Sequence, residues 1–481
     1  MNFQPALDRD RSGRAAHLEY PCSPSILPGV VVTLDVLSIG VAYLLSIYFA
    51  GPYITDVYHY SSALFIGIGY LLLSGRSRLN ELYAIMKPMR FISDVAVAFI
   101  TSLLMLLSIV FSFDASDAVS RDWVFLFAAS SVTLISINRL ALHGVVRQLS
   151  RRRIIGRSMV VLGAGEQSRR FLRRVARNNP YFISITGVYG DVPPEVADVE
   201  GYPVLGEIED LISHVRRQKI DDIVIAMPWN ADSQLMKTVE LLKQLPVNVY
   251  LCTDLVGFEL SFRPVLSDFA SLPVFEIVQR PISGWSLALK NMEDFVLSII
   301  LIIALSPLLI LIAALIKLDS SGPVLFTQKR LGFNNKVFHI YKFRSMYHTP
   351  VPEAEVQQAT RGDPRVTRVG RIIRATSLDE LPQLFNVLNG AMSIVGPRPH
   401  AVSHSQEYGQ QIRGYFMRHR VKPGITGWAQ INGCRGETAQ LERMEERIQY
   451  DIYYADNWSI FFDLKIIIIT IFIVPFQRAA Y

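Results

Sequence analysis

The sequence predicts a membrane protein of mixed α and α/β class. Its expected parts are four N-terminal transmembrane helices, a Rossmann-like α/β module and a C-terminal monotopic domain that carries a re-entrant helix. Three observations predict this. The 481 residues are 50% hydrophobic and 19% charged, against roughly 25% charged in soluble domains, and the mean hydropathy is +0.28. Long apolar stretches fill the first third, then strand and helix patterns alternate over 155–275. A further long apolar run is broken by Pro307. The length suits about three domains.

The four apolar stretches run over 29–50, 61–75, 93–113 and 122–143, each near the length that spans about 30 Å of hydrocarbon. Loop charges orient them. Arg9, Arg11 and Arg14 precede the first, Arg76, Arg78, Lys87 and Arg90 lie between the second and third, and Arg147, Arg151, Arg152, Arg153 and Arg157 follow the fourth. The opposite loops carry Asp56, Asp114 and Asp117. Positive charge stays inside, so the tail 1–28 and everything after the 29–145 membrane region belong in the cytoplasm. Asn138, Arg139 and His143 fall near the cytoplasmic end of the fourth span, where they are expected to snorkel in a structural role.

The formal charge of +6 is modest. It sits in loops, which suits a lipid bilayer surface and anionic substrates, and no aromatic-basic pattern points to nucleic acid. Cys22, Cys252 and Cys434 are scattered, with neither a disulfide framework nor zinc spacing. No short apolar core with a cleavage site stands at the N-terminus, so no cleaved signal peptide is expected.

The module at 155–275 reads as alternating elements. Met159–Leu162, Ile220–Ala226 and Val247–Cys252 read as strands, with helices over Arg169–Arg177 and Ser233–Leu245. Such alternation predicts a parallel sheet. The turn Gly163-Ala-Gly165-Glu-Gln-Ser168 resembles a dinucleotide fingerprint with its third glycine replaced. Both nucleotide binding and a structural or regulatory role stay open at this point.

The run 293–317 contains Ser306-Pro307. Proline removes a backbone donor and clashes with the preceding turn, so the helix should kink. It is long enough to span. Lys290 before it and Lys317, Lys329, Arg330, Lys336, Lys342 and Arg344 after it favour a hairpin that enters and leaves by one face.

Adjacent carboxylates, Asp379 and Glu380, then follow a basic stretch (Arg368, Arg371, Arg374) and precede Gly396-Pro-Arg-Pro399. Neighbouring carboxylates repel, so the pair implies a cation or phosphate beside it. A hard divalent metal with few protein ligands, completed by substrate phosphates, meets that need. Arg374 and Arg398 offer the fork that grips phosphate. Lys342 and Arg344 are further candidates for phosphate contact, and each of the four, taken singly, is equally readable as a solvated or headgroup-facing charge.

The order of motifs in 285–481 is specific. Gly322-Pro-Val-Leu-Phe-Thr-Gln-Lys-Arg330 leads to Tyr341-Lys-Phe-Arg-Ser-Met346, then to the carboxylate pair and Met392-Ser-Ile-Val-Gly-Pro-Arg-Pro-His400. Val421-Lys-Pro-Gly-Ile-Thr-Gly-Trp-Ala-Gln430 and Tyr450-Asp-Ile-Tyr-Tyr454 complete it. This succession resembles the bacterial sugar transferase family, the monotopic polyprenyl-phosphate hexose-1-phosphate transferases. With the preceding spans and module, with Arg435-Gly-Glu-Thr438 and with the ending Ala479-Ala-Tyr481, the chain looks like the large members, the undecaprenyl-phosphate glucose phosphotransferases of exopolysaccharide synthesis.

The resemblance implies transfer of a hexose 1-phosphate, glucose 1-phosphate first, from a UDP-sugar to undecaprenyl phosphate with release of UMP. Galactose 1-phosphate and N-acetylhexosamine 1-phosphate are the alternative groups. It implies that Asp379 is the nucleophile, that Glu380 serves proton or metal work, that Asp379 and Glu380 hold Mg2+, and that Ser306 and Pro307 form the membrane break. It places the catalytic domain on the cytoplasmic face of a bacterial inner membrane and leaves homo-oligomerisation open. A membrane-bound nucleotide-sugar dehydratase or epimerase would need an intact fingerprint and a Tyr-x-x-x-Lys pair, and neither stands in 155–275. A non-catalytic assembly regulator would not need Asp379, Glu380 and the arginines together. The apolar tail from Ile466 to Phe476 is short for a span and reads as an interfacial helix.

Overall fold

The structure is a computed structural model that describes residues 22–50, 57–76, 88–112, 120–152, 154–178, 183–191, 197–227, 232–252, 274–348, 363–434 and 441–473. Arg9, Arg11, Arg14, Asp56, Arg78, Lys87, Asp114, Asp117 and Arg153, on which the orientation rests, lie outside these residues, as do Arg435–Thr438 and Ala479–Tyr481.

Four long helices open the chain: α1 (Leu27–Ala50), α2 (Val57–Arg76), α3 (Pro88–Ser112) and α4 (Arg121–Arg151). Apolar residues dominate the membrane-length stretches of these helices. Ile39, Ala42, Ile66, Tyr70, Phe99, Trp123 and Phe127 pack together in the bundle, while Leu44, Phe49, Leu72 and Phe125 face outward, as lipid-exposed helices require. Among the described residues four helices are long and apolar enough to cross a membrane, at 24–49, 92–110, 121–151 and 284–319. The chain is a membrane protein. α2, expected as a span over 61–75, is helical but is not one of the four.

One polar contact in the bundle differs from expectation. Arg139 does not snorkel; it is buried and ion-paired to Asp35 of α1, whose carboxylate also accepts the Tyr70 hydroxyl at 2.9 Å. Asn138 donates to Ser38 at 2.6 Å. A carboxylate inside an apolar helix needs a partner, and Asp35 draws Arg139 inward.

The middle of the chain alternates β1 (Arg157–Leu162), α5 (Glu166–Asn178), β2 (Ile183–Tyr189), α6 (Ile208–Arg217), β3 (Asp222–Ile225), α7 (Asp232–Leu242), β4 (Asn248–Cys252) and β5 (Val274–Val278). These strands form one five-stranded sheet in the order β2-β1-β3-β4-β5. β3 and β4 run parallel, with Asp222 opposite Asn248. At the glycine turn, Gly163 adopts φ 116°, a conformation open to a residue without Cβ. Ser168, standing where the fingerprint has its third glycine, donates to the Gly163 carbonyl at 2.6 Å and ties the turn to α5.

The C-terminal region begins with α8 (Gly284–Asp319), 36 residues with Pro307 inside. The proline leaves the Ile303 carbonyl without its helical donor, and the Ser306 hydroxyl donates to that carbonyl at 2.8 Å. The helix therefore continues through the break. Then come β6 (Leu325–Leu331), β7 (Val337–Phe343), α9 (Arg368–Ala375), α10 (Gln383–Leu388), β8 (Ser393–Val395), α11 (Val402–Gln411), β9 (Gly424–Thr426), α12 (Leu441–Asp456) and α13 (Ile460–Ile473). β6 and β7 pair antiparallel, and β8 and β9 pair parallel.

The chain divides into two compact units, residues 1–188 with 192–204 and 252–275, and residues 189–191 with 205–251 and 276–481. Within the second, both ends of α8 are anchored. Near its start Lys290 pairs with Asp463 of α13 at 2.6 Å and with Asp294 at 3.2 Å. Asp294 accepts the Ser393 hydroxyl at 2.9 Å and the Ile394 amide at 3.0 Å. At its end the Arg344 guanidinium donates to the carbonyls of Ser320 at 2.7 Å and Ser321 at 2.9 Å.

Candidate active site

The dyad is carried by a turn between two helices, the first of them capped at its start. The Thr367 hydroxyl accepts the Gly370 amide at 2.9 Å, and Asp319 at the end of α8 accepts the Val369 amide at 3.0 Å. These contacts satisfy two of the first-turn donors that a helix leaves open. α9 stops at Ser377, whose φ of 58° lies in the left-handed region, an uncommon conformation for a residue with a Cβ. The 3-10 turn Leu378–Glu380 follows directly, and Pro382 precedes α10.

α10 is held to the strand that supplies Lys342. The Asn386 side chain accepts the Tyr341 amide at 2.8 Å and donates to the His339 carbonyl at 2.8 Å, taking the place of a neighbouring strand. Side chains alternate along β7, so with Phe343 buried in the core Lys342 faces the other way. Its ammonium reaches Glu380 Oε1 at 2.8 Å.

Arg398 comes from the loop between β8 and α11. That loop crosses the chain before β9 so closely that a Cβ on Gly396 or Gly424 would collide with backbone. From there Arg398 grips Glu380 with both terminal nitrogens, Nη1 to Oε2 at 2.8 Å and Nη2 to Oε1. Asp379 is different. Among the described residues no hydrogen bond or ion pair reaches its carboxylate; Lys342, Arg374 and Arg398 act on it through charge alone.

The two carboxylates accordingly part. Burial, and after it the negative charge of Glu380, push Asp379 up to about 6. Burial would raise Glu380 too, but Arg398 and Lys342 outweigh it and hold that carboxylate well below its usual range. Like charges side by side with unequal partners divide into one fixed anion and one adjustable group.

Of the residues singled out from the sequence, Asp379, Glu380, Lys342, Arg374 and Arg398 thus come together. Arg344 does not join them. It is buried and its terminal nitrogens are engaged at the end of α8, including the Ser320 hydroxyl at 3.0 Å. Sequence reasoning missed Asn386, His400, Arg418 and Asp451, although Asp451 and His400 lie inside motifs it had quoted.

A magnesium site is judged by its donors. Among the described residues no group of three or more His, Cys, Asp or Glu side chains gathers. Magnesium needs no such group when substrate phosphates and water complete an octahedral shell around one or two carboxylates. The unbonded Asp379 carboxylate is a hard oxygen donor of that kind, and the Glu380 oxygens retain acceptor capacity beyond their cation contacts. The residues fit.

The family described as bacterial sugar transferase matches residues 285–477, the segment that holds the whole site. The UDP-glucose:undecaprenyl-phosphate glucose-1-phosphate transferase of Escherichia coli K12 is 39% identical over 76% of this chain and 77% of its own. The chain belongs to the bacterial sugar transferase family. A protein of the same name from Klebsiella pneumoniae is 39% identical over 79% of this transferase and 81% of its own length. The undecaprenyl-phosphate glucose phosphotransferase of Komagataeibacter xylinus is 36% identical over 80% and 70%. A CoA-binding domain family matches residues 79–253 of the transferase. A solved Rex-family repressor covers 26% of it with 16% identity and a TM-score of 0.19, too low to bear on its fold.

Proposed function

We propose that this transferase moves glucose 1-phosphate from UDP-glucose to undecaprenyl phosphate, giving undecaprenyl diphosphate glucose and UMP, through a phosphosugar held on Asp379. The observation that carries the reading is the split dyad: Glu380 locked between Lys342 and Arg398, and Asp379 beside it with no bonded partner among the described residues. A carboxylate tied by two cations is a poor nucleophile. One held only by distant charge keeps a lone pair for attack.

The step balances. An Asp379 carboxylate oxygen forms a bond to the β-phosphorus, and the bond from that phosphorus to the bridging oxygen breaks. UMP leaves with the electron pair. An oxygen of undecaprenyl phosphate then bonds to the same phosphorus and the Asp379 carboxylate leaves. Phosphoryl transfer spreads negative charge over the equatorial oxygens, which Arg374 and the outward faces of Lys342 and Arg398 can meet. When bound, magnesium at Asp379 and Glu380 would draw charge from the phosphates. Two successive steps also spare the site from holding a soluble nucleotide sugar and a long lipid at once.

The same reading makes α8 re-entrant, sets the Rossmann-like module as a cytoplasmic neighbour, and puts the site at the headgroups of a bacterial inner membrane. Support comes from the two arms around Pro307. Leu287 and Leu297 pack in the cluster of Phe338 and Ile340, and Leu308, Ile312 and Ile316 pack in that of Phe343 and Ile373. Both clusters draw on β7, while Val296, Ile300, Ile303 and Ile310 stay exposed. An apolar helix anchored at both ends to one body, with bare flanks between, suits a hairpin dipped into one leaflet.

The test is UMP release by the full-length protein in nanodiscs containing undecaprenyl phosphate, with UDP-glucose, UDP-galactose and UDP-N-acetylhexosamines in parallel. UDP-glucose should be turned over fastest, chelation should silence release, and added magnesium should restore it. No UMP from any sugar would overturn the proposal.

A further inference from the structure

The loop that presents Arg398 cannot hold itself in place. Pro397 and Pro399 have no amide hydrogen, so the segment forms neither helix nor ladder, and its carbonyls must find donors elsewhere. Pro397 receives the Gly424 amide at 2.9 Å. The Arg398 carbonyl receives Arg418 Nη2 at 2.7 Å.

Arg418 is a hub. Its side chain is wholly buried in the 3-10 segment Tyr415–Arg420. Besides the Arg398 carbonyl it meets His400 Nδ1 through Nη1 at 2.8 Å, and Asp451 of α12 through Nε at 3.0 Å and Nη2 at 2.7 Å. The Tyr415 hydroxyl also lies 2.7 Å from His400 Nδ1. A guanidinium has no acceptor, so His400 Nδ1 accepts from Arg418 and its ring hydrogen sits on Nε2. Burial, and then the charge of Arg418, hold His400 neutral, well below the ordinary imidazole range. One planar fork thus fastens three points at once: the backbone of Arg398, the imidazole of His400, and a helix whose Asp451 lies 33 residues beyond Arg418.

A buried ion pair of this kind is a weak source of net stability, because desolvation offsets most of the attraction. Its geometric effect is large. Arg398 reaches Glu380 only if its backbone stays where Arg418 holds it.

We infer that Arg418, locked by Asp451, is a positioning residue for the transfer reaction: it fixes the Pro397-Arg398-Pro399 loop so that the Arg398 guanidinium meets Glu380 and the substrate phosphates. Its described hydrogen bonds and ion pair reach neither Asp379 nor Glu380. The inference rests on the transfer activity proposed above.

A double-mutant cycle on the full-length protein in nanodiscs tests it, with UMP release from UDP-glucose as the readout and thermal unfolding as the control for folding. Arg418→Lys keeps the charge but not the three-way fork, and should lower kcat by about 10- to 100-fold, the cost of misplacing a gripping group by about an ångström. Asp451→Asn loosens Arg418 without removing it and should lower kcat by a smaller factor. In an Arg398→Lys background neither change should lower kcat further, because the contact they serve is already gone. Full multiplication of the two defects in both cycles, with all variants folded, would overturn the inference and leave Arg418 a plain core residue. Wild-type protein without UMP release would instead refute the transfer reading. In that case the cycle is read on UDP-glucose affinity, with the same two outcomes.

Discussion

Arg398 binds Glu380 through both arms of its guanidinium while Asp379, one residue away, has no bonded partner among the described residues. A bidentate pair of this sort fixes direction as well as charge. With Lys342 on the same carboxylate, Glu380 is held by two cations, and Asp379 is the less engaged carboxylate of the dyad, which supports the attack proposed for its oxygen.

Asp379→Asn preserves shape and removes the attacking charge. Turnover should fall by roughly three orders of magnitude or more while the melting temperature stays close to wild type. UMP release kinetics on the purified variant check this, and near-normal turnover would place the nucleophile elsewhere.

The raised position of Asp379 gives a second expectation, in protein stripped of divalent metal. A carboxyl group that titrates at about 6 is mostly protonated at pH 5 and mostly ionised at pH 7. Carbodiimides react through the protonated acid, so labelling of Asp379 should decline with a midpoint near that value. In Glu380→Gln the neighbouring negative charge is gone and Lys342 and Arg398 are released to act on Asp379. Both effects favour the anion, so the midpoint should move to lower pH. Peptide mapping by mass spectrometry reads the labelling, and a midpoint unmoved or raised would show that Glu380 does not control its neighbour.

The helix break makes a third. Ser306 re-satisfies the carbonyl that Pro307 strands, which makes a bend tolerable within the bilayer. In a background with Cys22, Cys252 and Cys434 replaced, cysteines introduced at Ala288 and Ser321 should both react with an impermeant reagent from the cytoplasmic face. Changing Ser306-Pro307 to Ala-Leu yields an unbroken apolar helix that should prefer to span, sending the two labels to opposite sides and abolishing transfer. Opposite-side labelling in the wild type would refute the hairpin.

What the sequence revealed follows a physical line. The dyad, its basic neighbours and the apolar helix around Pro307 were readable because each is local: adjacent charges and a run of apolar residues. The strands at Arg157–Leu162 and Asn248–Cys252 were readable from short apolar runs between turns. Arg344 was misplaced because an arginine that closes a helix end is written like one that grips phosphate. Arg139 was misplaced because its partner Asp35 lies 104 residues away, and pairing at such separation leaves no periodic trace. Arg418 and Asp451 were hidden for the same reason.

The central claim is the covalent phosphosugar on Asp379, and one measurement reaches it directly. The magnesium-loaded protein is mixed with UDP-glucose radiolabelled at the β-phosphate, with undecaprenyl phosphate left out, then quenched and digested. The account predicts label on the peptide containing Asp379, in an amount matching the UMP released, lost when undecaprenyl phosphate is added before quenching and absent from Asp379→Asn. UMP formation that requires both substrates together, with no labelled peptide at any time, would contradict it.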